Sequence, residues 1–494
     1  MNQRPLFNGV GRSVSERGTQ VVSKSNVDPV RVISYPAGRL IRQREGLPLM
    51  HRRHQNPMLL LFVFFVGLTG PAVIADEVVL AASIDSSRTT VTDYQIRLTG
   101  EVIVPGPDGS QKFPLTSNGR FQFLQRQLPS EPVGPASLRA IRQYSSAETT
   151  TKVGDHVTEV GLPAAYRRIH VMGSSEGLVL YSPGFAIPRK QLELLQMPFD
   201  SLATGSVLPP GRVEPGAKWN SDAWLMPVLT GIEAVVEQSA TCTLKSLTDQ
   251  VAIVAFTGKI SGAVQGSASN VSFSGEMTLD RQRRLVTSFV GQQKEKRIPG
   301  PVSPGLNVTA NIRWTQSVTD DSSLQTAVET PSPSEESLQL LLQTQLKLQL
   351  HHSREWYLFH ETPSVLMMRQ LRDGHLISQC NISSAVTVPP KQHTLNKEFL
   401  ADVTASVQER KGTVVGEDTV RDDARWRMRR IRAVGDASGE VILWDYYLCS
   451  ATTGEQYSLV FSYSKADSEL FGEEAGRILS TLQIAGASPA LPRR

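Results

Sequence analysis

The chain has 494 residues, 40% of them hydrophobic, and carries 51 Lys+Arg against 47 Asp+Glu, a net charge of +4. Three cysteines are too few for a disulfide framework, while the apolar share is enough to build packed cores. Residues 1–75 hold ten basic and three acidic side chains, so the remaining 419 residues are net −3 and offer nucleic acid or an anionic membrane no bulk attraction.

Residues 1–49 are polar, rich in Arg and Ser, and lack apolar periodicity. They read as a disordered extension or a mis-set start, with translation beginning at Met50 or Met58. Residues 50–75 read as an export signal. His51, Arg52, Arg53 and His54 form its basic end, and Leu59–Val66 is an unbroken apolar run. Val73, Ile74 and Ala75 put short side chains before Asp76. The apolar stretch Leu59–Ile74 is interrupted by Gly67, Gly70 and Pro71 and is shorter than the roughly 20 residues of a spanning helix. A cleaved signal and a secreted or periplasmic protein are expected. The alternative is a single-pass membrane anchor, and membrane contact is expected only if Leu59–Ile74 is retained. No Cys lies near the cleavage position, which excludes a lipid-modified start there.

Residues 76–318 read as a β-rich half-barrel or sandwich domain. Asp108-Gly109 and Asn118-Gly119 are expected hairpin turns, since both pairs accept positive φ. Ala136–Tyr144 and Lys190–Gln196 are expected short helices, the second set between Pro188 and Pro198. Ile232–Lys245, Gln250–Val264, Val271–Leu279, Arg284–Gln292 and Leu306–Ser317 read as long strands of an antiparallel meander. Such a sheet curls, and a curled sheet can hold an apolar ligand. The stretch Leu208–Trp219 (LPPGRVEPGAKW) resembles uncharacterised exported β-rich bacterial proteins, a likeness that implies no activity.

Residues 319–343 are polar and acidic, contain Pro331 and Pro333, and read as a linker. In 344–484, Leu346, Leu348 and Leu350 alternate with polar residues as in a half-buried strand, and another strand begins at Trp356. Asp373-Gly374 marks a hairpin. Leu395, Phe399, Leu400, Val403 and Val407 make one face of a helix ending at Gly412. Strands over Ala424–Ala433, Glu440–Ser450 and Gln456–Ser464 precede a helix over Ser468–Leu482, and 485–494 reads as a disordered tail.

This order, and above all Glu440–Ile484 (EVILWDYYLCSATTGEQYSLVFSYSKADSELFGEEAGRILSTLQI), resembles the PsbP superfamily. The resemblance implies an α/β/α sandwich and a binding or assembly role. It brings no functional residue set with it, because members differ in what they do. The expected fold class is therefore α+β: a curved antiparallel β-rich domain followed by a PsbP-like α/β/α sandwich.

Chemistry is sparse. Gly173-Ser174-Ser175-Glu176-Gly177 has the G-x-S-x-G pattern of a hydrolase elbow, but the β-like Leu178–Tyr181 follows where a helix is needed. A hairpin loop explains it better. His351 and His352 are adjacent on a strand and point to opposite faces, and His360-Glu361 completes no metal motif. Arg425, Arg427 and Arg429 share a strand face opposite Trp426 and Met428, a candidate surface for an anion or a partner. Asp422 and Asp423 stand ready to balance it. Cys380 and Cys449 are a candidate disulfide, with burial as separate small apolar residues the alternative. The sequons at Asn270, Asn307 and Asn381 are incidental. No catalytic, cofactor or metal set is identified. The function expected is that of an exported, non-enzymatic binding or assembly protein for a protein partner or a lipid-like ligand. The alternatives are an envelope hydrolase with dispersed residues and a membrane-anchored scaffold.

Overall fold

The structure is a computed structural model and describes residues 77–83, 85–106, 109–130, 134–325, 332–437 and 439–485. The expected extension 1–49, the signal 50–75 and most of the tail expected over 485–494 lie outside these residues. The described residues fall in one compact unit.

Its largest element is a 12-stranded antiparallel sheet. From one edge the strands are Lys218–Asn220, Ala234–Leu247, Val251–Val264, Ser267–Asp280, Leu285–Arg297 and Gly305–Thr319. Then come Thr89–Gly106, Gly109–Gln127, Arg139–Val153, Arg168–Ser174 and Gly177–Tyr181, with His156–Gly161 paired to Arg139–Val153 alongside. Inward side chains from both ends of this order, Cys242 and Leu180 among them, belong to one apolar cluster with Leu192, Leu195, Leu202, Leu225 and Leu229 of three short helices. Laid flat at 4.8 Å per strand, the sheet would span roughly 50 Å and its ends could not share a core. It is therefore wound around the helices Arg189–Leu195, Ser201–Thr204 and Leu225–Thr230.

Two sequence expectations fail here for a common reason. Residues 136–144 are not a helix: Pro135–Ser137 is a single 3₁₀ turn, and Arg139–Val153 is a strand. Asn118-Gly119 is no turn but lies mid-strand, paired with Arg97 and Ile96. A Cβ on Gly119 would come within 2.8 Å of Ile96 Cγ2 and 2.9 Å of Phe121 Cε2. The glycine makes room for inward side chains rather than for a turn, and two neighbouring strands override local turn preference.

The expected PsbP-like α/β/α sandwich over 344–484, and with it the α+β class, is overturned. The described residues are mostly β, 58% strand against 14% helix, so two helical layers have no material. The C-terminal region is a seven-stranded antiparallel sheet in the order Trp356–Glu361, Val365–Arg372, His375–Ser384, Gln456–Ser464, Glu440–Ala451, Trp426–Ala437, Thr413–Asp422. One 14-residue helix, Asn396–Glu409, packs against its last two strands. The expected long C-terminal helix is broken at Gly472 (φ 49°) into Ser468–Phe471 and Glu474–Ser480. Beside these pieces lies a small sheet of Gln483–Ile484, Leu348–His352, Leu340–Gln343 and Ile187–Pro188, whose Leu348 and Leu350 join the same core. The helical stripes are present in the sequence. What it concealed is the edge strand Thr413–Asp422 and the use of Leu346–Leu350 as a covering layer.

The two large sheets are tied together by backbone-capping arginines. Arg189 donates to the carbonyls of Arg354 and Trp356 and lies 4.1 Å from the centre of the Tyr357 ring. Arg354 in turn donates to Leu180 O (2.7 Å) and Leu338 O (2.9 Å). The hairpin at Gly266 (φ +73°) touches the hairpin at Asp373-Gly374, where a Cβ would stand 2.6 Å from Gly374 O. Residues 319–343 contribute Leu324 to a buried cluster with Leu128 and Ile141, and the strand Leu340–Gln343 to the small sheet.

Candidate functional site

The site worth building is a groove between the inner face of the large sheet and the helix Arg189–Leu195. On the sheet side, Tyr94, Ile96 and Leu98 project inward at alternate positions. They face Phe121, Gly119 and Ser117 on the next strand and Ala147, Thr149 and Thr151 beyond. On the helix side, Lys190, Glu193, Leu194 and Met197 recur at helical spacing. Val160, from the short strand His156–Gly161, completes the wall. The groove is open to solvent on one side and has a volume of about 330 Å³. A second recess of about 410 Å³ is lined by Val79, Ala81, Asp249, Leu279, Arg281, Gln282 and Arg284. It is a dip among turn residues, one of whose cations, Arg281, is already committed to Thr248 O, and it lacks the apolar walls of the groove.

The floor of the groove is rigid. Tyr94 Oη donates to Pro198 O at 2.7 Å, and Trp314 Nε1 to Phe199 O at 2.9 Å. Below them Arg142, wholly buried, donates to both carboxylate oxygens of Asp200, with Nη1–Oδ2 at 2.8 Å, and to Gln125 Oε1 at 2.8 Å. Asp200 also accepts from Leu202 N at 2.9 Å, capping the next short helix. The segment Met197–Ser201 is thus held at four points, and it carries one wall of the groove. At the rim, surrounding protein raises the Glu193 carboxyl above the ordinary range, and Arg189 at 3.7 Å opposes the rise.

The residues singled out in the sequence lie elsewhere. Arg425 sits in the turn before the strand, its N–H donating to Asp423 Oδ1 at 2.8 Å. Arg427 and Arg429 do share a face, and both are half-buried. Arg427 contacts His393 and lies 3.8 Å from Asp422, while neighbouring Arg430 makes a two-pronged pair with Asp418 at 2.9 and 2.8 Å. Acidic residues of the edge strand and its turn thus partner this stretch. Cys380 and Cys449 are free, buried thiols. The strand Gln456–Ser464 separates theirs, and Cys380 pairs with its Phe461 while Cys449 pairs with its Tyr457, so the backbones stand more than about 10 Å apart against the about 7 Å a disulfide tolerates. Ser174 lies in a hairpin, its hydroxyl donating to Gly177 O at 3.0 Å. Among the described residues no three His, Cys, Asp or Glu side chains gather where they could hold a metal, and no helix is long and apolar enough to cross a membrane.

His352 belongs to the small sheet and is buried. Burial holds its pKa at about 4, below the ordinary 6.5. The charges of Arg189 and His351 push the same way, and the Ser353 carbonyl opposes them. Above pH 6.5 the ring is neutral whether the chain is folded or not. Below it the unfolded chain takes up a proton the folded one refuses, so stability falls with pH until about 4. Over that window the loss attributable to His352 is about 3 kcal/mol. His352→Gln is expected to flatten the pH dependence of the urea midpoint between pH 6.5 and 4. An unchanged slope would refute this assignment.

No protein-family model matches the chain, and no curated protein matches it. Solved structures give faint likenesses. A protein from Bacteroides thetaiotaomicron is 11% identical, with a TM-score of 0.22 over 29% of this chain and 47% of its own, so the match spans less than half of that protein. A loop-deletion mutant of the outer-membrane protein OmpT of Vibrio cholerae is 8% identical, with a TM-score of 0.12 over 77% of this chain and 100% of its own. OccK5 (OpdH) of Pseudomonas aeruginosa is 9% identical, with a TM-score of 0.13 over 78% and 99%. At such scores these likenesses establish neither a shared fold nor a family.

Proposed function

We propose that this is an exported, non-enzymatic binding protein that holds an apolar, lipid-like ligand in the groove between the large sheet and the helix Arg189–Leu195. The observation that carries the reading is the lining: Ile96, Leu98, Phe121, Val160, Leu194 and Met197 converge from three strands and the helix with its following segment on one recess of about 330 Å³. That lies within the range of about 300–1,000 Å³ usual for small-molecule sites, which are mostly apolar with a few polar groups. The secreted or periplasmic location rests on the Met50–Ala75 segment of the sequence.

Native mass spectrometry of the protein purified gently from its own compartment tests the reading. The expected spectrum shows added mass that disappears on denaturation. Leu98→Trp, which drives an indole into the groove, is expected to abolish that mass at no more than the about 1–3 kcal/mol of an overpacked site. A bare chain in the wild-type spectrum, or equal ligand loading in Leu98→Trp, would sink the proposal.

A further inference from the structure

The groove has a polar end and an apolar end, and its two walls agree on the direction. Pro198 O accepts from Tyr94 Oη, which fixes the C-terminal end of the groove helix over the row of Tyr94 and its partner Phe121. Lys190, at the other end, lies roughly 7.5 Å along the axis from Leu195, the last helical residue, at a rise of 1.5 Å per residue. Along the sheet, the row changes from Tyr94 and Phe121 through Ile96 to Leu98, whose neighbours are Ser117 and Thr151, about 13 Å further on. The hydroxyls of Ser117 and Thr151 lie 2.7 Å apart. The hydroxyl end of the sheet wall and the Lys190 end of the helix wall are therefore both remote from the Tyr94–Pro198 contact.

The charges at the groove are unequally committed. Glu193 is paired with Arg189 at 3.7 Å. Lys190 is exposed, lines the groove, and has no acidic partner among the described residues. The far end runs into the core, since Tyr94 is 1% exposed and donates to Pro198 O.

We propose that the ligand is a single-chain amphiphile with an anionic head, a carboxylate or a phosphate, held at Lys190, with its tail running toward Met197 and Phe121. This rests on the groove being the binding site. An apolar wall of about 13 Å takes a tail of roughly ten methylenes. Affinity rises about fourfold for each methylene buried and levels off once the far end is reached. The attraction at Lys190 weakens with added salt, because the ammonium is exposed.

Calorimetric titration of the full chain with dodecanoate, dodecyl phosphate and dodecyltrimethylammonium, each below its micellar concentration, tests this. Both anionic probes, or one of them, are expected to bind at least tenfold more tightly than the cation, and the stronger one identifies the head. Decanoate against octanoate is expected to differ about sixteenfold. Lys190→Gln should erase the preference for anions, and Lys190→Glu should reverse it. Lys190 is exposed, so both variants are expected to fold, with thermal midpoints as the check. Equal binding of all three probes, unmoved by Lys190→Gln, overturns the anionic head and leaves an apolar groove. Binding of none, or binding that Leu98→Trp does not weaken, overturns the groove itself and this inference with it.

Discussion

Asp200→Asn is expected to lower the unfolding free energy by about 3–5 kcal/mol, the range for breaking a buried ion pair from one side. The asparagine keeps a side-chain oxygen for the cap on Leu202 N, so the loss is not one of helix capping. What changes is Arg142. It has no exposure to water, and its remaining partners are neutral, Gln125 Oε1 at 2.8 Å and the face of the Phe123 ring at 4.8 Å. A guanidinium in that position has lost its counter-charge and cannot recover hydration. Arg142→Met in the same chain is expected to regain part of the loss, because removing both charges is far cheaper than stranding one. Urea unfolding of the two single variants and the double variant closes the cycle. A double variant no more stable than Asp200→Asn would show that the pair is not the source.

Phe199→Ala is expected to cost about 3–5 kcal/mol, the upper range for truncating a buried aromatic. The ring is fully buried and packs on three others, at centroid distances of 5.1 Å to Phe289, 5.6 Å to Phe256 and 5.6 Å to Phe273. These come from three different strands, so the cavity left behind could close only if the sheet moved. The backbone of Phe199 adds a second consequence. Its φ is 51°, a region non-glycine residues seldom occupy, and its carbonyl accepts from Trp314. Packing of the ring and the hydrogen bonds to Pro198, Phe199 and Asp200 together hold that conformation. Loss of the packing is therefore expected to loosen Met197 and Pro198 and weaken ligand binding even where the chain stays folded. Phe199→Leu, which fills most of the volume, should restore binding more fully than stability. Equal binding by wild type and Phe199→Ala would separate the groove from this core.

Much of the strand pattern was legible because alternation survives in isolation. The meander from Ala234 to Thr319 follows the expected strands to within a few residues, apart from longer ends at Ser267 and Arg297. The Asp373-Gly374 hairpin likewise declares itself, both residues taking positive φ (51° and 79°). The misses occur where a local signal points two ways. Residues 139–144 (RAIRQY) can form a helix or a strand, and strands on both sides settle the matter. Asn118-Gly119 looks like a turn until Ile96 and Phe121 claim the space above the glycine. The acids beside Arg427 and Arg430, Asp422 and Asp418, belong to the strand Thr413–Asp422, of which the sequence marked only Asp422 as a balancing charge.

The groove could not have been read from the chain. Lys190, Leu194 and Met197 are spaced to share a helix side, and that much is visible in the sequence. Their partners Ile96, Leu98 and Phe121 are some 70 to 100 residues distant, on a side of the sheet that the pattern marks simply as inward. Composition, charge, strand alternation and the export-signal pattern are properties of short stretches, fixed by side-chain chemistry one window at a time. The winding of the sheet around its helices, the pairing of Arg142 with Asp200 and the recess beside Leu98 depend on contacts between distant segments. Which inward face meets which helix is decided by tertiary packing alone.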